Sequence, residues 1–553
     1  MTTDADVARR AVFDPATTRD DLARLAEEHP GLRGVIAEHP NADASLRAWV
    51  ASLGAPTPEQ VAAALPVPVE PVPPPVEPVE TEGSLAQSPA AEPPRRHRWV
   101  GPLVGLVVLA LVAAAGLTYR FVVWPARDIP EWTQVFGGTG DEWFHAVAVA
   151  PDGGIVVVGS VQGAEDGPFA RTSAGVGPLA LVAGFRADGT LAWSKVFAGE
   201  GGDSLNGVAV DPRGDIVAVG AACSASGDFP ARTSQGCDQV VVKLSPVGDI
   251  VWATRLGIGG LAGVAVDAAG AITAVGYAEV DDGGPQLDAA IVRLAADGTV
   301  TWSKTFGGSG NEMFLGVAVD DAGGAVVAGF TESSDGDYPL KYPVDPTSGT
   351  AADGVVLRLA PDGTVVWSQM IGGGFWDYLD AVVLTADGGI VVAGVTASTD
   401  GDFAGSTMTR PADAAALVRL SLDGTVTWAR TYGGVSEGAF TALFSLAEAR
   451  NGDLVAAGAT SVNVTGGDFP PAHDGSAGGD ALVARFTPTG DIRWAQTLGG
   501  GDAERFEGVT LARDGDVIAI GNTASLDGLL PPTHGGTDAL ILRVSPDGVL
   551  GPA

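Results

Sequence analysis

The chain has 553 residues, 79 of them glycine, and a formal net charge of −36. That length admits several domains or one long repeat array, and glycine beside abundant Val and Ala with few Lys points to β structure with tight turns. The charge excludes nucleic acid as a partner, because a polyanion would be repelled with no counterion release to offset it.

Residues 1–65 carry helical signals. Thr18 is an N-cap with Asp21 three residues on, followed by Leu22, Leu25 and Ala26 on one face. Pro30 restarts the chain, Leu32, Val35 and Ile36 form a second stripe, and Asp43 opens a third helix with Leu46, Trp49, Val50 and Leu53 before Gly54. The order DPATTRDDLARLAEEHPGLRGVIAEHPNADASLRAWVASLG resembles the variant leucine-rich repeat modules of actinobacterial proteins. The resemblance implies a small helical interaction module with a cytoplasmic protein partner and no chemistry of its own.

Residues 66–98 form a Pro/Glu-rich linker with a basic end at Arg95, Arg96 and Arg98, which suits an extended polyproline-II spacer. Residues 99–124 read as a transmembrane helix. The uncharged run Val100 to Thr118 is flanked by Trp99 and Tyr119, and at about 1.5 Å per residue it covers roughly the hydrocarbon thickness of a bilayer. The basic flank places the N-terminus in the cytoplasm and residues 125–553 outside it, in a single-pass cell-membrane protein.

From residue 125 onward one unit recurs about every 60 residues, a period that fits a propeller blade with a generous loop. Its marker is a tryptophan: Trp132, Trp193, Trp252, Trp302, Trp367, Trp428 and Trp494. In the stretch 206–256 the expected strands are a (206–210), b (215–220), c (239–244) and d (249–256), with b and c alternating and Gly-bearing turns joining a to b and c to d. Strand a, small and smooth as in GVAVD, is expected innermost, and the Trp-bearing strand d outermost. The chain ends just after strand c of its last unit, so residues 131–136 are expected to supply the missing strand d. The fold class is therefore mainly β: a seven-bladed propeller of four-stranded blades, plus a small N-terminal α-helical module and one transmembrane helix.

The motif Gly-Asp-Phe/Tyr-Pro at Gly227–Pro230, Gly336–Pro339 and Gly467–Pro470, with Gly479-Asp480-Ala481 and Gly499-Gly500-Gly501-Asp502, resembles the bacterial seven-bladed propeller repeat family often called SBBP. Asp400 to Ala404 departs from it by lacking the proline. That family implies the propeller and leaves activity open.

The long d–a and b–c loops crowd one rim and carry Asp141, Glu142, Asp203, Asp228, Asp337, Asp402, Asp468, Asp502 and Glu504. Asp228, Asp337, Asp402 and Asp468 are candidate Ca²⁺ ligands, hard oxygen donors beside Gly-rich carbonyls. The competing reading is Asx turns, favoured because no stretch shows complete EF-hand spacing. His145 at the start of an inner strand is a candidate base, while His473-Asp474 and His534 share no zinc spacing. The Asp-Gly-Thr-Val-Thr-Trp segments before Trp302 and Trp428 resemble the tryptophan docking of quinoprotein propellers, but the vicinal cysteine pair of that group is missing. Cys223 and Cys237 bracket one b–c loop and are expected to pair in an oxidising compartment. The expected function is a non-catalytic platform that binds a protein or cell-wall ligand at its rim. The rivals are a propeller enzyme (lyase, hydrolase or quinoprotein-like), which needs His, Arg, Lys or Tyr converging with carboxylates at one channel mouth, and a signalling receptor.

Overall fold

The computed structural model describes residues 131 to 550, apart from short stretches in the connections, the longest being 342–351. The described residues build antiparallel sheets: five of four strands and one of seven. The seven-stranded sheet arises because one strand, Ile250–Val266, passes through two units. Its first half pairs with Asp238–Leu244 as strand d of one unit, and its second half pairs with Ile272–Asp281 as strand a of the next. Divided there, the sheets make seven four-stranded units.

The inner strands are Asp141–Val149, Ser204–Val210, the second half of Ile250–Val266, Glu312–Val319, Asp377–Leu384, Thr441–Glu448 and Glu504–Leu511. Each packs against the next, and the last against the first, so they form a closed ring about an axis. The closing strand is the expected one. Trp132–Phe136 pairs antiparallel with Asp538–Val544, Trp132 opposite Arg543 and Phe136 opposite Ala539. Behind the seam, Phe144, Val157 and Leu181 of the first unit share one core with Ile518, Ile520 and Ile541 of the last. This removes both sheet edges.

Strands b and c do not alternate as expected. Ile155–Gln162 is buried along nearly its whole length, and Leu179–Phe185 throughout, because each face of a unit is covered by a neighbouring unit. Strand d alternates instead, as in Leu191–Val196, with one side open to solvent.

The fold class needs correction. Among the described residues there is no α-helix, only a three-residue 3₁₀ turn at Gly401–Phe403, and no helix is long and apolar enough to cross a membrane. The physical reason is that the backbone groups of this part are spent in strand ladders and tight turns, with no stretch of helical period between them. The expected helical module (1–65), linker (66–98) and span (99–124) lie outside the described residues.

Candidate binding site at the axial mouth

Every unit carries a glycine in strand b that faces a bulge in strand a: Gly159, Gly220, Gly276, Gly329, Gly394, Gly458 and Gly521. A Cβ on any of them would run into a carbonyl oxygen of strand a, such as that of Trp143, Met313 or Tyr378. Only glycine lets the inner strand take in its extra residue. The extra residues are His145, Asn206, Ala262, Leu315, Asp380, Phe444 and Glu507.

Four of these side chains show contacts or charge effects beyond their own strand. His145 Nδ1 lies 3.0 Å from Leu205 O on the next inner strand, and Asn206 Nδ2 donates to Leu261 O of the one after, at 2.9 Å. Ser204 Oγ donates to Asn206 Oδ1 at 2.6 Å. Asp380 of the fifth unit feels the charge of Glu507 of the seventh, two units that are not neighbours, so the interaction crosses the channel. Arg505 Nε pairs with Glu507 Oε1 at 2.5 Å. Tyr378, two residues before Asp380, stacks edge-on against Phe330 at 4.5 Å and lies 5.6 Å from Trp376.

Burial sets the protonation of this group. It pushes Asp380 up to about 7, with Glu507 adding to the effect, and Asp380 Oδ2 has no hydrogen-bond partner. It raises Glu507 against the opposing pull of Arg505, and it lowers His145, with Arg505 reinforcing the shift. Near neutral pH the mouth thus holds a neutral imidazole and two carboxyls that lack full solvation. Such a site favours an incoming cation or hydrogen-bond donor.

The sequence singled out His145 but missed Asn206, Asp380, Glu507, Arg505 and Tyr378. The reading of the inner strand as small and smooth fails at the bulge, which turns one residue per strand out of the packed pleat. The signal was the residue just before the small-residue run, where HAVAV, NGVAV, DAVVL and EGVTL differ while the rest repeats.

The four candidate Ca²⁺ ligands are placed apart, each in its own unit. Asp228 Oδ2 accepts from Ala198 N at 2.8 Å, and Asp337, Asp402 and Asp468 accept from Gly307, Gly372 and Gly433 N at 3.1 Å each. Each ties a b–c loop to the d–a loop of its own unit. Asp402 also takes Lys341 Nζ at 3.1 Å. Among the described residues no group of three or more His, Cys, Asp or Glu is disposed to hold a metal ion.

A family model described as the Leucine Rich Repeat Variant domain matches residues 6–66. No curated protein matches the chain. Solved structures similar to it include the WD40 β-propeller domain of Doa1, at 11% identity and TM-score 0.40, covering 75% of this chain and 96% of that one. The Neurospora crassa Pan2 WD40 domain follows at 10% and 0.38, covering 75% and 92%. Drosophila Plexin A in complex with Semaphorin 1b stands at 9% and 0.39, covering 75% and 87%.

Cys223 and Cys237 form a disulfide with Cα atoms 4.0 Å apart. The seven tryptophans each reach the c–d turn of the following unit. A Cβ on Gly189, Gly248, Gly298, Gly363, Gly424, Gly490 or Gly548 would meet Trp132, Trp193, Trp252, Trp302, Trp367, Trp428 or Trp494 respectively. Four indoles also donate to carbonyls there, as Trp302 does to Pro361 O at 3.0 Å and Trp494 to Pro546 O at 2.9 Å. Each of these rings thus has a face packed on the neighbouring unit. Asp141 accepts from Thr537 N at 2.9 Å, and Asp203, Glu142 and Glu504 are buried at the starts of inner strands. Asp502 is exposed, and its N–H donates to Ser525 Oγ. His534 caps Asp538, and His473 with Asp474 lies outside the described residues.

Proposed function

We propose that this chain is a non-catalytic binding protein of the SBBP type whose ligand seats over the loop-face mouth of the axial channel. One observation carries the reading. In a ring whose turns, tryptophans and strand-b glycines repeat unit by unit, the seven bulge residues are unlike one another. Repetition maintains a fold, whereas unlike side chains converging on one mouth suit recognition of one ligand. The under-solvated carboxyls Asp380, near Tyr378, and Glu507, on a chain of net charge −36, suit a protein or cell-wall partner that presents a basic group. The disulfide fits an oxidising compartment outside the cytoplasm. The leucine-rich repeat variant segment supplies a separate place for a protein partner.

The test is calorimetric titration of the full chain with Lys- or Arg-bearing peptides and Glu-bearing controls, at pH 6 and pH 8. Binding is expected to prefer the basic peptides, to strengthen as Asp380 ionises through about 7, and to disappear in an Asp380→Asn, Glu507→Gln double variant. Equal binding of both peptide classes, or an unaffected double variant, overturns the reading.

A catalytic reading of the same channel rests on His145, which burial and the nearby Arg505 charge keep neutral and so able to act as a base. A turnover that His145→Gln abolishes while ligand affinity persists would make the site an enzyme's.

A further inference from the structure

Three inner strands start on the same buried group. Glu312, Asp377 and Glu504 are each nearly fully buried and each take a backbone N–H four residues upstream, from Gly308, Gly373 and Gly500 at 2.9 Å. Their remaining lone pairs are filled from strand b. Thr331 and Ser333 donate to Glu312 at 2.8 and 2.5 Å, Thr396 and Ser398 donate to Asp377, and Thr523 Oγ1 and Ser525 N donate to Glu504 at 2.9 and 3.1 Å. The threonine is always the residue directly opposite the carboxylate in the strand pairing.

The second unit has Ala222 in the threonine position, yet its buried Asp203 still takes the Ser224 hydroxyl and N–H, and the first unit departs further. Glu142, also buried, takes Gly138 N at 3.1 Å, but the residue opposite it is Val161 and the serine position is Gly163. Both hydroxyl donors are gone, and Glu142 Oε1 has no partner. The same seam holds a second orphan: Asp538 on strand c of the last unit is fully buried, and its Oδ1 has no partner, while His534 N and Nδ1 hold its Oδ2 at 2.8 and 2.7 Å. The two carboxylates flank one glycine, since a Cβ on Gly137 would collide with Asp538 Oδ1 and Glu142 Oε2. The corresponding pairs in other units, Asp353 with Asp377 about Gly372 and Asp480 with Glu504 about Gly499, keep their hydroxyl or amide donors from strand b.

We infer that Glu142 and Asp538 hold one proton between them across the closing seam, with Glu142 Oε2–H donating to Asp538 Oδ1. A single proton, taken from solvent, gives Asp538 Oδ1 a donor, leaves Glu142 Oε1 as the carbonyl oxygen of a neutral acid and leaves one net negative charge where two would repel. The charged and titratable groups around Glu142 among the described residues are Asp538, Asp141 and Asp166, with His534 on the far side of Asp538. The three carboxylates all favour keeping the proton, and burial is the largest cause, pushing Glu142 up to about 7. The seam joins the first inner strand to the last strand c, beside the strand Trp132–Phe136 that closes the ring. The device is a pH-set latch: because the folded-state value is raised, its stabilisation is present in acid and is lost as pH rises through about 7.

The experiment measures the thermal unfolding midpoint of the full chain between pH 5.5 and 8.5 for the native protein, Glu142→Gln and Val161→Thr. Glu142→Gln carries a permanent donor toward Asp538, and Val161→Thr restores the hydroxyl that other units use. Both are expected to match the native protein in acid and to unfold several degrees above it at the alkaline end. A midpoint difference that is the same at every pH overturns the inference. So does CaCl₂ at pH 8.5 raising the native midpoint but not that of Glu142→Gln, since the oxygens would then take a metal ion and not a proton.

Discussion

Arg543 stands opposite Trp132 across the two strands that close the ring, and its guanidinium reaches Asp516 at 3.0 Å, Asp514 at 2.5 Å and Ala187 O at 2.9 Å. The pairing is one member of a series. Lys243, Arg293, Arg358, Arg419 and Arg485 face Trp252, Trp302, Trp367, Trp428 and Trp494 in the same register, and each cation bonds an acid in its own a–b turn. The first unit has Gly184 opposite Trp193.

Truncating this cation costs what its burial dictates. Arg543 and Asp516 are nearly inaccessible, with side-chain exposures of 2% and 1%, whereas Asp387, the partner of Arg419, is 62% exposed. Arg543→Ala strands a buried carboxylate and is expected to lower stability by about 3–5 kcal/mol. Arg419→Ala should cost about 1 kcal/mol or less. Chemical denaturation of the two variants side by side checks the contrast.

The turn glycines separate conformational strain from packing. Gly153 and Gly363 both have positive φ, +92° and +80°, but a Cβ on Gly153 meets nothing while one on Gly363 comes within 3.0 Å of the Trp302 ring. Gly153→Ala is expected to cost about 1–2 kcal/mol from backbone strain alone. Gly363→Ala should add about 1–3 kcal/mol for displacing the indole, measured as a difference in unfolding free energy.

The disulfide closes a separation of 14 residues in one b–c loop. Replacing both cysteines by serine is expected to cost about 3 kcal/mol in the chain-entropy model. Thiol labelling of native protein purified without reductant should find no reactive cysteine, and labelling at both positions would refute the pairing.

How much of this was legible in the sequence follows from which interactions are local. Turn glycines and the tryptophan period were readable because each is a short-range pattern repeated seven times, and the closing strand because Trp132–Phe136 matched a strand missing at the other end. The burial of strands b and c was misjudged, since whether a pleat face meets solvent depends on the neighbouring unit. The axial mouth was mostly missed for the same reason: Asp380 and Glu507 lie far apart in the chain and become a pair only when the ring closes. His145 was noticed by residue type, and the bulge that aims it depends on Gly159 in the next strand.

The loop carboxylates proposed as Ca²⁺ ligands yield a direct check. Asp337 accepts from Gly307 N, and its own N–H donates to Gly307 O at 3.0 Å, a reciprocal clamp between two loops. Asp337→Ala is expected to cost about 1–2 kcal/mol by leaving Gly307 N unpaired. A clamp of this kind needs no ion, so chelation of divalent metals should leave the native unfolding midpoint unchanged. A fall on chelation that Asp337→Ala removes would restore the calcium reading.

Asp377 links burial to pH. It is almost fully buried, and that burial, with Asp353 nearby, pushes it up to about 7 against the opposing hydrogen bonds from Thr396, Ser398 and Gly373 N. A carboxyl raised above its ordinary value binds a proton more tightly in the folded chain than in the unfolded one. Its contribution to stability is therefore complete in acid, below the ordinary carboxylate range, and is lost as pH rises through about 7. Asp377→Asn fixes the uncharged form with nearly the same shape. Its midpoint, relative to the native protein, should rise between pH 5 and pH 8, and thermal melts across that range decide it. A difference that shrinks instead would mean that the hydroxyl and amide donors hold Asp377 ionised throughout, with hydrogen bonding outweighing desolvation at this position.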